Sequence, residues 1–100
     1  MDAVDAPLHL IAIIRPRMDR ADEAEAELRL LMAGTHAEEG CIRMELVVSD
    51  DDPTTWLMLE EFRSRADWDD HMRTAHVTRG NANLADLLRE PTELRFYTAK

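Results

Sequence analysis

The chain has 100 residues, enough for one domain built on a single thin core. Its formal net charge of −9 repels phosphate backbones and anionic lipid, which argues against nucleic acid and membrane surfaces as partners. Apolar residues make up 45% and charged residues 33%, a balance that folds rather than staying disordered, and no apolar run approaches the roughly 20 residues that span a bilayer.

Met1 to Pro7 carries Asp2 and Asp5 without the basic start and apolar middle of a signal peptide. Cys41 is the only cysteine, so no internal disulfide forms. Together these features give the expectation of a reducing, cytoplasmic location.

Leu8 to Arg15 is short, β-branched and apolar on both sides, which predicts a strand covered on both faces and ended by Pro16. Asp19, with Asp22 three residues on, reads as the N-cap of a helix whose stripe is Ala24, Leu28, Leu31 and Thr35. Gly40 is its stop signal. Cys41 to Val48 alternates, with Ile42, Met44, Leu46 and Val48 on one face. Ser49 to Pro53 is a turn, and Thr55 to Arg63 a third strand. Ser64 caps the next helix, with Trp68, Met72 and Ala75 as its apolar stripe. A short helix over Asn81 to Arg89 and a last strand over Thr92 to Thr98 complete the chain.

The order strand, helix, strand, strand, helix, strand predicts an α+β fold. It is a ferredoxin-like split βαβ antiparallel sheet with helices on one face, a single domain over 1–100 with its core at 8–98. Helices on one face leave the other bare, although the first and third strands are apolar on both sides. A contiguous apolar patch of that size is rare on a monomer. A homodimer stacked sheet on sheet, a dimeric α+β barrel, is therefore expected.

The run from Thr55 to His76 carries a resemblance. A strand ends in Glu60-x-Phe62, an acidic helix bears His71, and His76 follows five residues later. Glu38-Glu39-Gly40-Cys41 leads into the second strand, and Pro16 follows the first. This ordered set, spanning Leu8 to Tyr97, resembles the antibiotic biosynthesis monooxygenase (ABM) family. The family includes cofactor-free monooxygenases of hydroxylated aromatics and quinols, haem-degrading oxygenases, and an isomerase of a phosphorylated sugar. The haem-degrading branch has Trp and Asn where this chain has His71 and Asp70, and an Asn that the first strand here lacks.

His71 lies on or beside the buried stripe of its helix. It reads either as a general base facing a pocket or as a core-edge histidine bonded to a backbone carbonyl. Glu60 shares a strand face with Trp56, Met58 and Phe62, where a carboxylate needs a partner. That partner is His71 or a substrate hydroxyl on one reading, and Arg43, Arg63 or Arg95 on the other. Trp56, Phe62, Trp68 and Tyr97 are candidates for an aromatic substrate pocket, with His76 beside them. On a continuous helix His76 lies roughly 140° around from His71, so the two do not share a face. His76 then suits a helix C-terminus, and no metal site is expected.

The function these features imply, chiefly through the resemblance, is a cofactor-independent monooxygenase. It would oxidise a small hydroxyaromatic or quinol with O2, with His71 and Glu60 catalytic and no cofactor. One alternative is an isomerase working by proton transfer on a small metabolite, with Arg73 and Arg79 near His76 available to a phosphate. Another is a non-catalytic ligand-binding dimer.

Overall fold

A period-two pattern decides which strand residues meet the helices, and the computed structural model, which describes residues 6–100, shows the outcome. Strands β1 (Leu8–Ile14), β2 (Cys41–Val48), β3 (Trp56–Phe62) and β4 (Glu93–Thr98) form one antiparallel sheet in the order β2-β3-β1-β4. Helices α1 (Ala21–His36), α2 (Arg65–Met72) and α3 (Ala75–Leu84) fill the connections. This is the ferredoxin-like α+β architecture expected from the element order. No helix among the described residues is long and apolar enough to cross a membrane.

Register places Leu10 opposite Glu60 and Phe96, and Glu60 opposite Met44. Leu8, Leu10, Ala12 and Ile14 therefore share a face with Met44, Trp56, Met58 and Phe62, and pack with Ala24, Leu28, Trp68 and Leu84 in one core. Phe62 is fully buried at its centre, where truncation to Ala would cost about 3–5 kcal/mol. The opposite face carries Ile11, Ile13, Val47, Leu57 and Leu59, all only half-buried. Thr35 is buried in α1 without penalty because its hydroxyl donates to the Leu31 carbonyl at 2.8 Å.

Several local expectations give way to tertiary geometry. Asp19 does not cap α1. It lies in a 3-10 turn, Met18–Arg20, and the helix begins at Ala21 with Arg20 at its N-cap and no side-chain cap bond. Arg20 instead grips Glu23 at 2.7 Å. Gly40 does not end α1 through a left-handed residue, since no described residue has positive φ. A Cβ there would come within 2.6 Å of the Asp67 Cβ, so the glycine permits close approach of α2. Ile42 leaves the face of Met44. A bulge between Cys41 and Arg43 inserts it as an extra residue, and it is exposed.

The largest difference concerns the helices after β3. Ser64 caps α2 as expected, accepting from the Asp67 N–H at 3.1 Å. The helix then stops at Met72. The Arg73 and Thr74 amides donate to the Asp70 and His71 carbonyls at 3.0 and 3.1 Å, tightening the last turn. Thr74 is the N-cap of α3 and accepts from the Val77 N–H. The third helix therefore starts at Ala75, six residues before the expected Asn81, and ends at Leu84 rather than Arg89. Met72 and Ala75 are exposed, and His71 takes the buried position beside Trp68.

Replacing Thr74 by Ala removes the α3 cap and is expected to cost about 1 kcal/mol. Urea unfolding should show a lower midpoint with an unchanged slope.

Candidate functional site

The core does not close completely between sheet and helices. A cavity of about 540 Å³ remains, within the range of small-molecule sites. Its sheet side is Leu10, Ala12, Met44, Met58 and Glu60, and its helix side includes Leu28, Trp68, His71, Val77 and Leu84. Most of this lining is apolar. The segment from Leu88 to Thr92 forms its rim. That rim is fastened to the end of β1: the Arg17 N–H donates to Leu87 O at 2.8 Å, and the Arg89 N–H to Arg15 O at 2.9 Å. The Arg89 guanidinium also donates to the carbonyls of Pro16 and Thr54, both at 2.8 Å.

His71 reaches the cavity from the last turn of α2, only 3% exposed and tilted against the Phe62 ring at 4.9 Å. Its Nδ1 donates to Glu38 Oε2 at 2.8 Å. A carboxylate can only accept, so Nδ1 carries the proton, and in the neutral form of the ring Nε2 carries the lone pair. Nε2 has no partner among the described residues, and no fully buried side-chain nitrogen or oxygen there lacks one. Nε2 is therefore open to the cavity that His71 lines. The carbonyl-bonded core reading of this histidine gives way to one in which a carboxylate fixes its tautomer.

The same Glu38 oxygen accepts a second imidazole N–H, from His76 Nε2 at 2.6 Å. The break at Thr74 makes this possible. It starts a new helix, so His76 sits in the first turn of α3 and its ring centroid lies 6.1 Å from that of His71. The expected C-terminal capping role is thereby replaced, since His76 is at an N-terminus. Gly34 supplies the space, because a Cβ there would lie 2.7 Å from the His76 ring.

Glu60 projects from mid-β3 into the cavity. None of the three arginines weighed as its partner pairs with it. Arg43 holds Glu45, Arg63 holds Asp67, and Arg95 holds Glu93. Burial, reinforced by the Glu38 charge, pushes the Glu60 carboxyl up to about 7. The cavity thus holds one imidazole lone pair and one carboxyl that exchanges its proton near neutrality.

Of the other residues singled out in the sequence, Trp68 lines the cavity and stacks edge-on against Phe96 at 5.0 Å. Trp56 and Phe62 are core residues that do not line it. Tyr97 is on the far sheet face, paired with His9 and half exposed. Arg73 is ion-paired to Asp70, and neither it nor Arg79 lines the cavity, so the phosphate-binding pair weighed earlier is not assembled there. Glu38 was missed as a site residue. It stood in the acidic stretch before Gly40 that belongs to the family resemblance, but its partners lie 33 and 38 residues away, and no local pattern gives it a role.

The family model described as antibiotic biosynthesis monooxygenase matches residues 7–83. The chain is 31% identical over 86 residues to Rv0793 of Mycobacterium tuberculosis, a protein provisionally named a monooxygenase, covering 86% of this chain and 84% of that one. The solved structure of Rv0793 superposes with a TM-score of 0.89 at 28% identity, over 95% of this chain and 96% of that one. PA3566 from Pseudomonas aeruginosa superposes with a TM-score of 0.87 at 29% identity, over 99% of both chains. A conserved protein from Methanosarcina mazei gives 0.91 at 25%, over 97% and 96%.

The raised Glu60 carboxyl carries a stability consequence. The folded state holds this proton up to about pH 7, the unfolded chain only to about 4.5. Its contribution is therefore complete below about pH 4.5 and lost as pH rises through about 7. The neutral isostere Glu60→Gln is expected to match wild type near pH 4 and exceed it by roughly 1–3 kcal/mol near pH 8, as measured by urea unfolding at each pH.

Proposed function

Because the chain belongs to the antibiotic biosynthesis monooxygenase family, matched over residues 7–83, we propose that it is a cofactor-independent monooxygenase of a small hydroxyaromatic or quinol. The observation that carries the reading is His71, whose Nδ1–H is held by Glu38 while Nε2 faces an apolar cavity large enough for a fused aromatic.

The substrate ring packs against Trp68, Met44 and Met58. His71 Nε2 accepts the phenolic proton or the acidic C–H proton, and Glu38 stabilises the imidazolium that forms. Glu60 hydrogen-bonds a substrate hydroxyl or carbonyl, in a medium where such a bond is strong. The desolvated, electron-rich anion transfers one electron to O2, and the radical pair recombines to form a C–O bond. The resulting hydroperoxide loses water and leaves a new carbonyl. One oxygen atom ends in the product and the other in water. The protein supplies deprotonation, orientation and exclusion of solvent.

The half-buried apolar face of Ile11, Ile13, Val47, Leu57 and Leu59 supports the companion proposal of a homodimer stacked sheet on sheet. Light scattering on the eluting protein is expected to report about twice 11.5 kDa, and a lone 11.5 kDa particle at micromolar concentration rejects the dimer.

The activity test is aerobic turnover of an anthrone or of menadiol by metal-free protein, followed by oxygen uptake. His71→Ala is expected to lower kcat by on the order of 10²–10⁴-fold. A wild-type rate equal to that of buffer rejects the oxygenase. Saturable binding without turnover would then favour a ligand-binding role.

A further inference from the structure

Two imidazoles meeting on one carboxylate oxygen is more than His71 requires. Glu38 alone would fix its tautomer. His76 adds nothing to the cavity, which it does not line. It does complete a group of three donors: His71 Nδ1, His76 Nε2 and a Glu38 oxygen all lie within 4.8 Å of one another. The group joins the stretch after α1, the last turn of α2 and the first turn of α3.

We propose that Glu38, His71 and His76 form a site for a divalent transition metal such as Zn²⁺, and that occupation of this site switches His71 from a proton acceptor to a proton donor toward the cavity.

The donor set of two histidines and one carboxylate is one that zinc takes, with a fourth position left for water. Metal–ligand bonds of about 2.0–2.1 Å place tetrahedral donors roughly 3.4 Å apart. The carboxylate oxygen is now 2.8 and 2.6 Å from the two nitrogens, as suits shared protons. Seating one cation where both N–H groups now point asks the carboxylate to withdraw and the rings to close by roughly an ångström. The Glu38 and His76 side chains are 18% and 20% exposed, which gives an ion its entry. The net charge of −9 draws cations toward the chain.

The consequence for His71 follows from valence. With Glu38 as acceptor, the proton sits on Nδ1 and the lone pair on Nε2. A metal takes the Nδ1 lone pair, so the ring proton moves to Nε2, which then donates and no longer accepts. The proton count is unchanged: as Zn²⁺ takes the lone pairs facing Glu38, each neutral ring gives up its proton there and takes one from solvent on its other nitrogen, His71 on Nε2 and His76 on Nδ1, and no oxidation occurs. Only the effect on turnover rests on the oxygenase reading; the site and the tautomer do not.

The test uses the full chain after stripping with a chelator, with Zn²⁺ and Co²⁺ alone as probes. Calorimetry is expected to show one Zn²⁺ per chain with Kd on the order of micromolar or tighter, weakened at least tenfold in His76→Ala and in Glu38→Gln. Cobalt should give the intense visible bands of a four-coordinate site in wild type and not in His76→Ala. Should one variant lose its fold by circular dichroism, the other decides. Nitrogen-15 NMR of the His71 ring is expected to show the proton on Nδ1 without metal and on Nε2 with it. Equal affinity in wild type and both variants would mean diffuse binding to an acidic surface and overturn the site. Metal binding with His71 still protonated at Nδ1 would overturn the switch. Zinc is also expected to suppress oxygen uptake at least tenfold, reversibly with EDTA. A chain with no oxygenase activity at all would defeat the functional reading alone, since binding and tautomer are read without turnover.

Discussion

One oxygen of Glu38 accepts two imidazole N–H groups, and the polar side of the cavity depends on this contact. It clamps the stretch after α1 to the junction of α2 and α3. It also holds the His71 ring in a single tautomer with its free nitrogen toward the cavity. Without the carboxylate, a neutral histidine 3% exposed would be free to place its proton on either nitrogen. The contact exists because the helix after β3 is not continuous. Thr74 restarts it, and the restart brings His76 to the same side as His71.

Glu60 supplies the opposing constraint. A carboxyl on the core-facing side of a central strand, with no cation beside it among the described residues, lowers stability at the pH where it would be charged. Leu or Met would pack there at no such cost. Two titratable groups, one oriented by a partner and one left without an ion partner, face a cavity lined mostly by Leu, Met, Trp and Val. An imidazole oriented by a carboxylate and a carboxyl raised by burial thus stand in one apolar space. The fold tolerates the expense because the rest of that face is densely buried around Phe62, Leu10 and Met58.

The two faces of the sheet have divided these tasks. The face under the helices holds the cavity, Trp68, Glu60 and His71. The other holds Ile11, Ile13, Leu57 and Leu59 together with His9 and Tyr97. Placing Tyr97 on this second face removes it from the aromatic lining of the cavity within the chain. The rim from Leu88 to Thr92 is held by backbone bonds to Arg15 and Arg17, so the mouth of the cavity is pinned to the end of β1.

The pattern of residues determined the elements, their order and the faces of the central strands, because period-two and helical spacing act locally and buried apolar residues cannot sit elsewhere. It also singled out His71, Glu60 and Trp68, since a polar group on an apolar stripe is visible in the pattern itself. It misjudged Ile42, because a bulge shifts the face of one residue without a local signature, and it ran α2 past Thr74, because a threonine cap inside a helical stretch resembles a continuing helix. Glu38 was beyond its reach. Only folding brings the end of α1 against two histidines more than 30 residues later, and a carboxylate acquires a role only when its partners are beside it. Tertiary structure likewise decided that Arg43, Arg63 and Arg95 were already paired, and so unavailable to Glu60.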